Sequence, residues 1–312
     1  MQLFTDKPAT GEIVYTGRFA PSPTGPVHFG TLLAAVGSYL QAKTSNGKWL
    51  LRMEDVDTTR KVDGADADIL HTLEAFGFEW DGDVVYQSKR TALYQQALDI
   101  LKQENLLFPC LCSRKQLAES GSDIYPGTCR HRTFPEKRDH AVRVIVDDSM
   151  IMFDDCIVGR QQQKLSTECG DFVVKRRDGL FAYQLAVVVD DALQGITEIV
   201  RGADLLDSTP RQIYLQRLLG YPTPAYCHLP LAVDQNGNKI SKSAGAAKVD
   251  VSNRRTALVH VLDFLGQQPP GELLEADLAA IWRWAIDHWN LAEVPHESMI
   301  LGELALSQPP SQ

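Results

Sequence analysis

Two groups of residues in this chain are spaced for chemistry. The first is a turn, Gly17-Arg-Phe-Ala-Pro-Ser-Pro-Thr-Gly-Pro-Val-His-Phe-Gly30, that runs straight into Thr-Leu-Leu-Ala-Ala-Val-Gly-Ser-Tyr-Leu40. A helix starting there would present free N–H groups and the positive end of its dipole, which suits a phosphate or carboxylate. His28 stands just before that end, where its imidazole can hydrogen-bond a phosphate oxygen. The same residues could equally form a plain strand-to-helix connection. The second group is Cys110, Cys112 and Cys129, with the Pro126-Gly127 turn before the third thiol. Three thiolates so placed can wrap a zinc ion tetrahedrally, or be ordinary buried cysteines. His131 or His140 is the first chemical choice for a fourth ligand, because Tyr125 would have to lose a proton from a pKa of about 10.

These residues need a scaffold, and the pattern around them supplies one. Glu12–Thr16 reads as a short strand, and Leu32, Leu33, Val36 and Leu40 follow the helical i, i+3/i+4 spacing. Lys48-Trp-Leu-Leu-Arg-Met-Glu54-Asp55-Val-Asp57 is an apolar strand that breaks into acid, as strand ends lining a ligand crevice do, although plain loop solvation would look the same. Residues 64–78 and 90–104 read as amphipathic helices. From Leu107 to Lys175 that rhythm is interrupted, with Val142-Arg-Val-Ile-Val146 alternating as a strand does and Asp178-Gly179 forming a turn pair. Lys175, Arg176 and Arg177 there read as a solvated basic edge. Leu180–Asp191 and Ile196–Asp204 read as buried strands ending in acids; on sequence alone Arg201 could also be a surface residue. Ser208–Leu219 reads as a helix with Pro210 in its first turn and Gly220 at its stop. The expected fold is therefore α/β, a Rossmann-type parallel sheet.

Composition narrows the class. The chain has 312 residues, 44% hydrophobic and 23% charged, enough for a large core. A net charge of −9 argues against a non-specific nucleic-acid coat and leaves room for local basic patches. No apolar run nears the roughly 20 residues of a membrane span, and the N-terminus lacks a signal peptide's apolar core. A cytoplasmic monomer without membrane contact is expected. Six unevenly spaced cysteines do not suggest a disulfide framework, and Cys156, Cys169 and Cys227 read as small core residues.

Arg18-Phe-Ala-Pro-Ser-Pro-Thr-Gly25 with His28-Phe-Gly30 resembles the opening signature of class I glutamyl-tRNA synthetases, in which His-x-Gly-x holds ATP. The next position is Thr31 rather than the second histidine of the generic signature, as is common in glutamyl-type enzymes. Leu-Arg-Met-Glu54-Asp and Tyr183-x-x-Ala-Val-Val-Val-Asp-Asp are similar to further blocks of that family, and Ile199-Val200-Arg201-Gly202-Ala203-Asp204 is similar to its Val-x-Arg-Gly-x-Asp block. Lys239-Ile-Ser-Lys242-Ser resembles its second signature, in the right order downstream. The resemblance implies a glutamate site of Arg18, Ala20, Ser22, Glu54, Tyr183 and Arg201, with Glu54 on the α-amino group and arginine forks on carboxylate. It implies ATP held by His28, Gly30 and Lys242, with magnesium on the phosphates. Lys242, assisted by Lys239, would neutralise charge growing on the pyrophosphate. It also implies a structural zinc on Cys110, Cys112, Tyr125 and Cys129, with His131 as the rival fourth ligand.

The resemblance divides the chain into catalytic halves at 1–106 and 176–243, a zinc-bearing insertion at 107–175 and a helical segment at 244–312. That last segment, with helices expected at Ala257–Leu265 and Leu278–Trp289, is too short for an anticodon-reading domain; Trp282 and Trp289 in it read as core packing. The chain is thus similar to the branch of the family that lacks such a domain and glutamylates queuosine in the anticodon of tRNA(Asp). The expected partners are L-glutamate, ATP and that anticodon stem-loop. A truncated glutamyl-tRNA synthetase charging tRNA(Glu), a class I-like small-molecule ligase and a non-catalytic paralogue are the alternatives.

Overall fold

The apolar stripe that begins at Leu32 packs one long helix against the sheet, and the rest of the main body is laid out around it. The computed structural model describes residues 14–119, 121, 124–132, 134, 139–233, 248–297 and 299–300. In chain order the first elements are β1 (Thr16–Phe19), α1 (Phe29–Thr44), β2 (Lys48–Met53), α2 (Ala65–Ala75), β3 (Val85–Tyr86) and α3 (Thr91–Gln103). Next come β4 (Leu107–Cys110), α4 (Arg114–Glu119), β5 (Ala141–Val144), β6 (Met150–Asp155), β7 (Gly159–Lys164), α5 (Leu165–Glu168) and β8 (Val173–Lys175). The second half holds α6 (Tyr183–Leu193), β9 (Glu198–Gly202), α7 (Thr209–Leu219), β10 (Ala225–Leu229) and β11 (Ala232–Val233). It closes with α8 (Arg254–Phe264), α9 (Leu278–His288) and β12 (Met299–Ile300).

β1 pairs parallel with β2, Thr16 opposite Lys48 and Phe19 opposite Leu51, and β2 pairs parallel with β3. β10 pairs parallel with both β9 and β6. The two halves meet where β9 runs beside β1: Thr197 N–H donates to the Thr16 carbonyl at 2.9 Å, and Thr16 N–H donates to Thr197 Oγ1 at 2.9 Å. The chain leaves β1 towards β2 on one side and returns at β9 on the other. That makes a topological switch point, the place where open α/β sheets bind ligands at their strand ends. α1 lies close over this seam. At Gly37 a Cβ would stand 2.7 Å from Leu229 Cδ1, so a larger residue there would push the Leu229 side chain aside.

Residues 107–110, 141–144 and 173–175 form a separate antiparallel sheet, β4-β5-β8. The β6–β7 hairpin, although it lies between those strands in sequence, joins the main sheet through β10. α8 and α9 pack back on α1: Trp282 is buried against Tyr39 and Phe78, with its Nε1 donating to the Phe76 carbonyl at 2.8 Å. Trp289 falls just past the end of α9, half-buried, its indole N–H on Gln41.

Three expectations are corrected. Leu180–Asp191 is not a strand: Tyr183–Leu193 forms α6, buried nearly all round, so its valines show no amphipathic period. The first described strand, Thr16–Phe19, takes in Arg18, which the sequence reading had placed in the turn. Cys227 is buried and Cys169 half-buried, but Cys156 is exposed after β6, its Sγ within 4.8 Å of Cys227 Sγ and a Glu198 carboxylate oxygen. Among the described residues no helix is long and apolar enough to cross a membrane.

Candidate active site

At the switch point lies a cavity of about 240 Å³. Its wall brings together Arg18 from β1, Ala20 from the turn, Gly30 from the first turn of α1, Glu54 past β2, Tyr183 from the start of α6, and Arg201 from β9. Thr31 and Ala232 also line it. Ser22 does not: it is exposed in the turn, its carbonyl accepting from Thr24 N–H at 2.8 Å. The turn is tied to the sheet at the Glu54 N–H, which donates to the Pro21 carbonyl at 2.9 Å.

His28 caps the N-terminus of α1 in extended backbone, outside the cavity wall. Its main chain bridges antiparallel to Lys248, and Val249 N–H donates to the Val27 carbonyl at 2.9 Å. Lys239 and Lys242 lie outside the described residues. The chain leaves them at Val233, next to the cavity-lining Ala232, and returns at Lys248, opposite His28. One end of that stretch is therefore beside the cavity and the other at the N-terminus of α1.

Two of the lining residues, Arg18 and Glu54, belong to a buried charge network. Asp191 Oδ1 lies 2.8 Å from Arg52 Nη2 and 3.2 Å from Arg18 Nε, while Arg52 Nη2 is 3.3 Å from Glu54 Oε1. Burial alone would raise Asp191, but Arg52 and Arg18 outweigh it and hold the carboxyl below its usual range. Glu54 goes the other way: burial pushes it up, against the pull of Arg52 and Arg18. Burial, with Glu54 nearby, pushes the Tyr183 hydroxyl up to about 12, so it stays a neutral donor. The adjacent Asp190 faces elsewhere, accepting from Gln87, Arg90 and Tyr94.

Arg201 is 5% exposed and its hydrogen bonds can be accounted for one by one. Nε donates to His228 Nε2 at 3.1 Å; Nη2 donates to Thr209 Oγ1 at 2.8 Å and the Leu205 carbonyl at 3.3 Å. Nη1 is buried with no hydrogen-bond partner among the described residues. Arg201 lines the cavity, and a buried guanidinium nitrogen without a partner is a donor that an acceptor atom of a ligand could satisfy. Behind it, His228 Nδ1 lies 2.6 Å from Asp155 Oδ2, both side chains fully buried. Arg52, Asp155, Asp191 and His228 belong to the site although no motif assigns them to it. Arg52 and Asp191 stood inside blocks already singled out; Asp155 and His228, 73 positions apart, gave no spacing signal.

The cysteine cluster is separate from the cavity. Sγ atoms of Cys110, Cys112 and Cys129 lie within 4.8 Å of one another, with Cys112 and Cys129 at 3.6 Å. The Tyr125 hydroxyl is 3.5 Å from Cys110 Sγ and 3.9 Å from Cys112 Sγ, and it accepts the Cys129 N–H at 2.9 Å. Burial and the Cys129 thiol push Cys112 up to about 11, a cost that a cation among the sulfurs would reverse. His131 is exposed and, among the described residues, stands outside this group. The basic trio is engaged rather than merely solvated: Arg176 pairs with Asp57 and Asp178, Arg177 donates to the Leu111 carbonyl, and Lys175 donates to Gln95.

A parallel sheet with its ligand cavity at the switch point, a signature turn entering a helix and two inward guanidiniums define a class I synthetase catalytic domain. Residues 14–272 match the family of class I tRNA synthetases (E and Q), catalytic domain. The glutamyl-Q tRNA(Asp) synthetase of Dechloromonas aromatica is 55% identical over 294 residues, covering 92% of this chain and 98% of that protein. The enzyme of the same name from Neisseria meningitidis serogroup C is 51% identical over 300 residues, covering 92% and 99%. The crystal structure of a glutamate-tRNA synthetase from Elizabethkingia anophelis shares the fold, with a TM-score of 0.77 at 23% identity, covering 93% of this chain and 68% of that one. The chain belongs to the class I glutamyl- and glutaminyl-type synthetase family, in its glutamyl-Q tRNA(Asp) synthetase branch.

Proposed function

We infer that this protein activates L-glutamate with ATP and transfers the glutamyl group to the queuosine base in the anticodon of tRNA(Asp). The observation that carries the substrate assignment is that Arg201, whose Nη1 is buried without a hydrogen-bond partner among the described residues, lines the same cavity as Arg18, Glu54 and Tyr183. A side-chain carboxylate on Arg201 and an ammonium on Glu54 would hold glutamate by both ends and leave its α-carboxylate free. That oxygen attacks the α-phosphorus of ATP, the bond to the β-phosphate breaks, and pyrophosphate leaves. A hydroxyl of the queuosine cyclopentenediol then attacks the acyl carbon and AMP departs. No side chain need act as nucleophile.

In this reading the α1 N-terminus with Gly30 receives phosphate, His28 polarises it, and magnesium accompanies the triphosphate. Lys242 and Lys239 stabilise charge on the leaving pyrophosphate. Cys110, Cys112, Tyr125 and Cys129 would hold one zinc ion, whose role is structural because all four positions are filled. Residues 107–175, apart from the β6–β7 hairpin that joins the main sheet, act as the insertion that receives the anticodon stem-loop, between catalytic halves at 1–106 and 176–243, and the protein works as a cytoplasmic monomer.

The test is transfer of radiolabelled glutamate to total tRNA from queuosine-containing and queuosine-deficient cells. Label is expected only with the first. Equal label in both would discard the modified base and favour charging of a terminal ribose.

A further inference from the structure

The open nitrogen of Arg201 is useful only if the guanidinium is held in one orientation. Two of its three nitrogens are committed: Nη2 to Thr209 Oγ1 and the Leu205 carbonyl, Nε to His228 Nε2 at 3.1 Å. The Nε bond imposes a condition. Arginine only donates, so His228 Nε2 must be a bare acceptor, and the Thr209 hydroxyl, 3.2 Å from the same nitrogen, can donate to it as well. The ring proton must then sit on Nδ1, which faces Asp155 Oδ2 at 2.6 Å. The other carboxylate oxygen, Oδ1, is fixed by the N–H groups of Ile157 and Val158 at 3.0 Å each and of His228 at 3.2 Å.

We propose that Asp155 and His228 are positioning residues for amino-acid specificity: the Asp155 carboxylate imposes the Nδ1–H tautomer on His228, and the bare Nε2 sets the Arg201 fork so that Nη1 meets the substrate carboxylate. The chain of bonds runs from β6 through β10 to β9, so three neighbouring strands fix one donor. Burial keeps the imidazole neutral against the pull of Asp155, and the Arg201 charge acts the same way. A second ring proton would set N–H against N–H in a dry interior, where such opposition is costly. The role in substrate binding rests on the glutamate reading above; the tautomer does not.

Two measurements test this. In 15N-histidine-labelled wild-type protein, long-range 1H–15N spectra should show His228 as the Nδ1–H tautomer throughout pH 6–8. A ring protonated on Nε2, or on both nitrogens, would overturn the proposal without any variant having to fold.

The second measurement uses Asp155→Asn. Oδ1 should stay on its three backbone N–H groups, so the new amide nitrogen faces His228 Nδ1 and drives the proton to Nε2, against Arg201. In glutamate-dependent pyrophosphate exchange, with tRNA present, KM for glutamate should rise about 10- to 100-fold, the loss of one charge-assisted bond. KM for ATP should stay within about twofold, which a general loss of structure would not allow. An unchanged KM for glutamate, or an equal rise in both constants, sinks the positioning role. Absence of glutamate-dependent exchange in the wild type would instead sink the glutamate reading and leave the histidine spectrum to stand by itself.

Discussion

Arg52 Nη2 lies 2.8 Å from Asp191 Oδ1, and both side chains are buried. Through that oxygen, which also meets Arg18 Nε at 3.2 Å, one carboxylate on α6 anchors guanidiniums from β1 and β2. Removing it would strand two buried cations. Asp191→Ala is expected to destabilise the protein by about 3–5 kcal/mol, measured by urea unfolding. Loss near zero would mean that water or a rearranged Glu54 replaces the carboxylate.

The same carboxyl gives a pH dependence whose sign is fixed. Its folded pKa is depressed, so its contribution is present above the unfolded value of about 3.9 and lost as pH falls through the folded value. The wild type should therefore lose stability below about pH 4 more steeply than Asp191→Asn, which has no such proton to take up. Parallel stability curves for the two proteins over that range would contradict the assignment.

How far these relationships were legible depends on how local they are. The cavity residues sit in compact blocks: Arg18, Glu54 and Arg201 lie on or just past strands that converge because the sheet is parallel, and Tyr183 joins them from the first turn of α6. α6 was misread because Val187, Val188 and Val189 form a β-branched run that is buried on every side; only a half-exposed helix prints a 3.6-residue period. The misreading hid the fact that Asp190 and Asp191 leave one helix in different directions, towards Arg90 and Tyr94 in one case and Arg18 and Arg52 in the other. Asp155 and His228 meet only because β6 lies parallel to β10, a pairing that no local pattern announces.

Glu54 should make substrate binding pH-dependent from the acid side. Burial raises its pKa, so as pH falls it takes up a proton before an ordinary glutamate with a pKa of about 4.3 would, and its attraction for an ammonium goes. The kcat/KM for glutamate should fall on acidification with an apparent pKa above that ordinary value. In Glu54→Gln it should be lower by about 100-fold at neutral pH and lack that limb. An unchanged acid limb in the variant would assign the titration to another group.

Lys242 lies outside the described residues, yet the chain on either side of it is anchored at the cavity and at His28. A lysine that meets pyrophosphate only as charge develops should matter for turnover rather than ground-state affinity. Lys242→Ala is expected to lower kcat for exchange by about 100-fold or more, with KM for glutamate changed by less than about threefold. A rise in KM with kcat intact would make it a ground-state contact instead.

The cysteine cluster yields a prediction independent of activity. Cys110, Cys112 and Cys129 place three sulfurs within 4.8 Å, and the Tyr125 oxygen touches two of them, while His131 stands apart. Purified protein should carry about one zinc per chain. Cys112→Ser should lose it, and the β4-β5-β8 sheet that holds the cluster should become more open to protease, because metal binding and local folding are one equilibrium. His131→Ala should leave the stoichiometry unchanged. Tyr125→Phe separates the two fourth-ligand assignments: the hydroxyl is the only polar atom lost, so zinc should bind more weakly and exchange faster with a chelator. Zinc retained at full affinity in Tyr125→Phe and lost in His131→Ala would reverse the assignment.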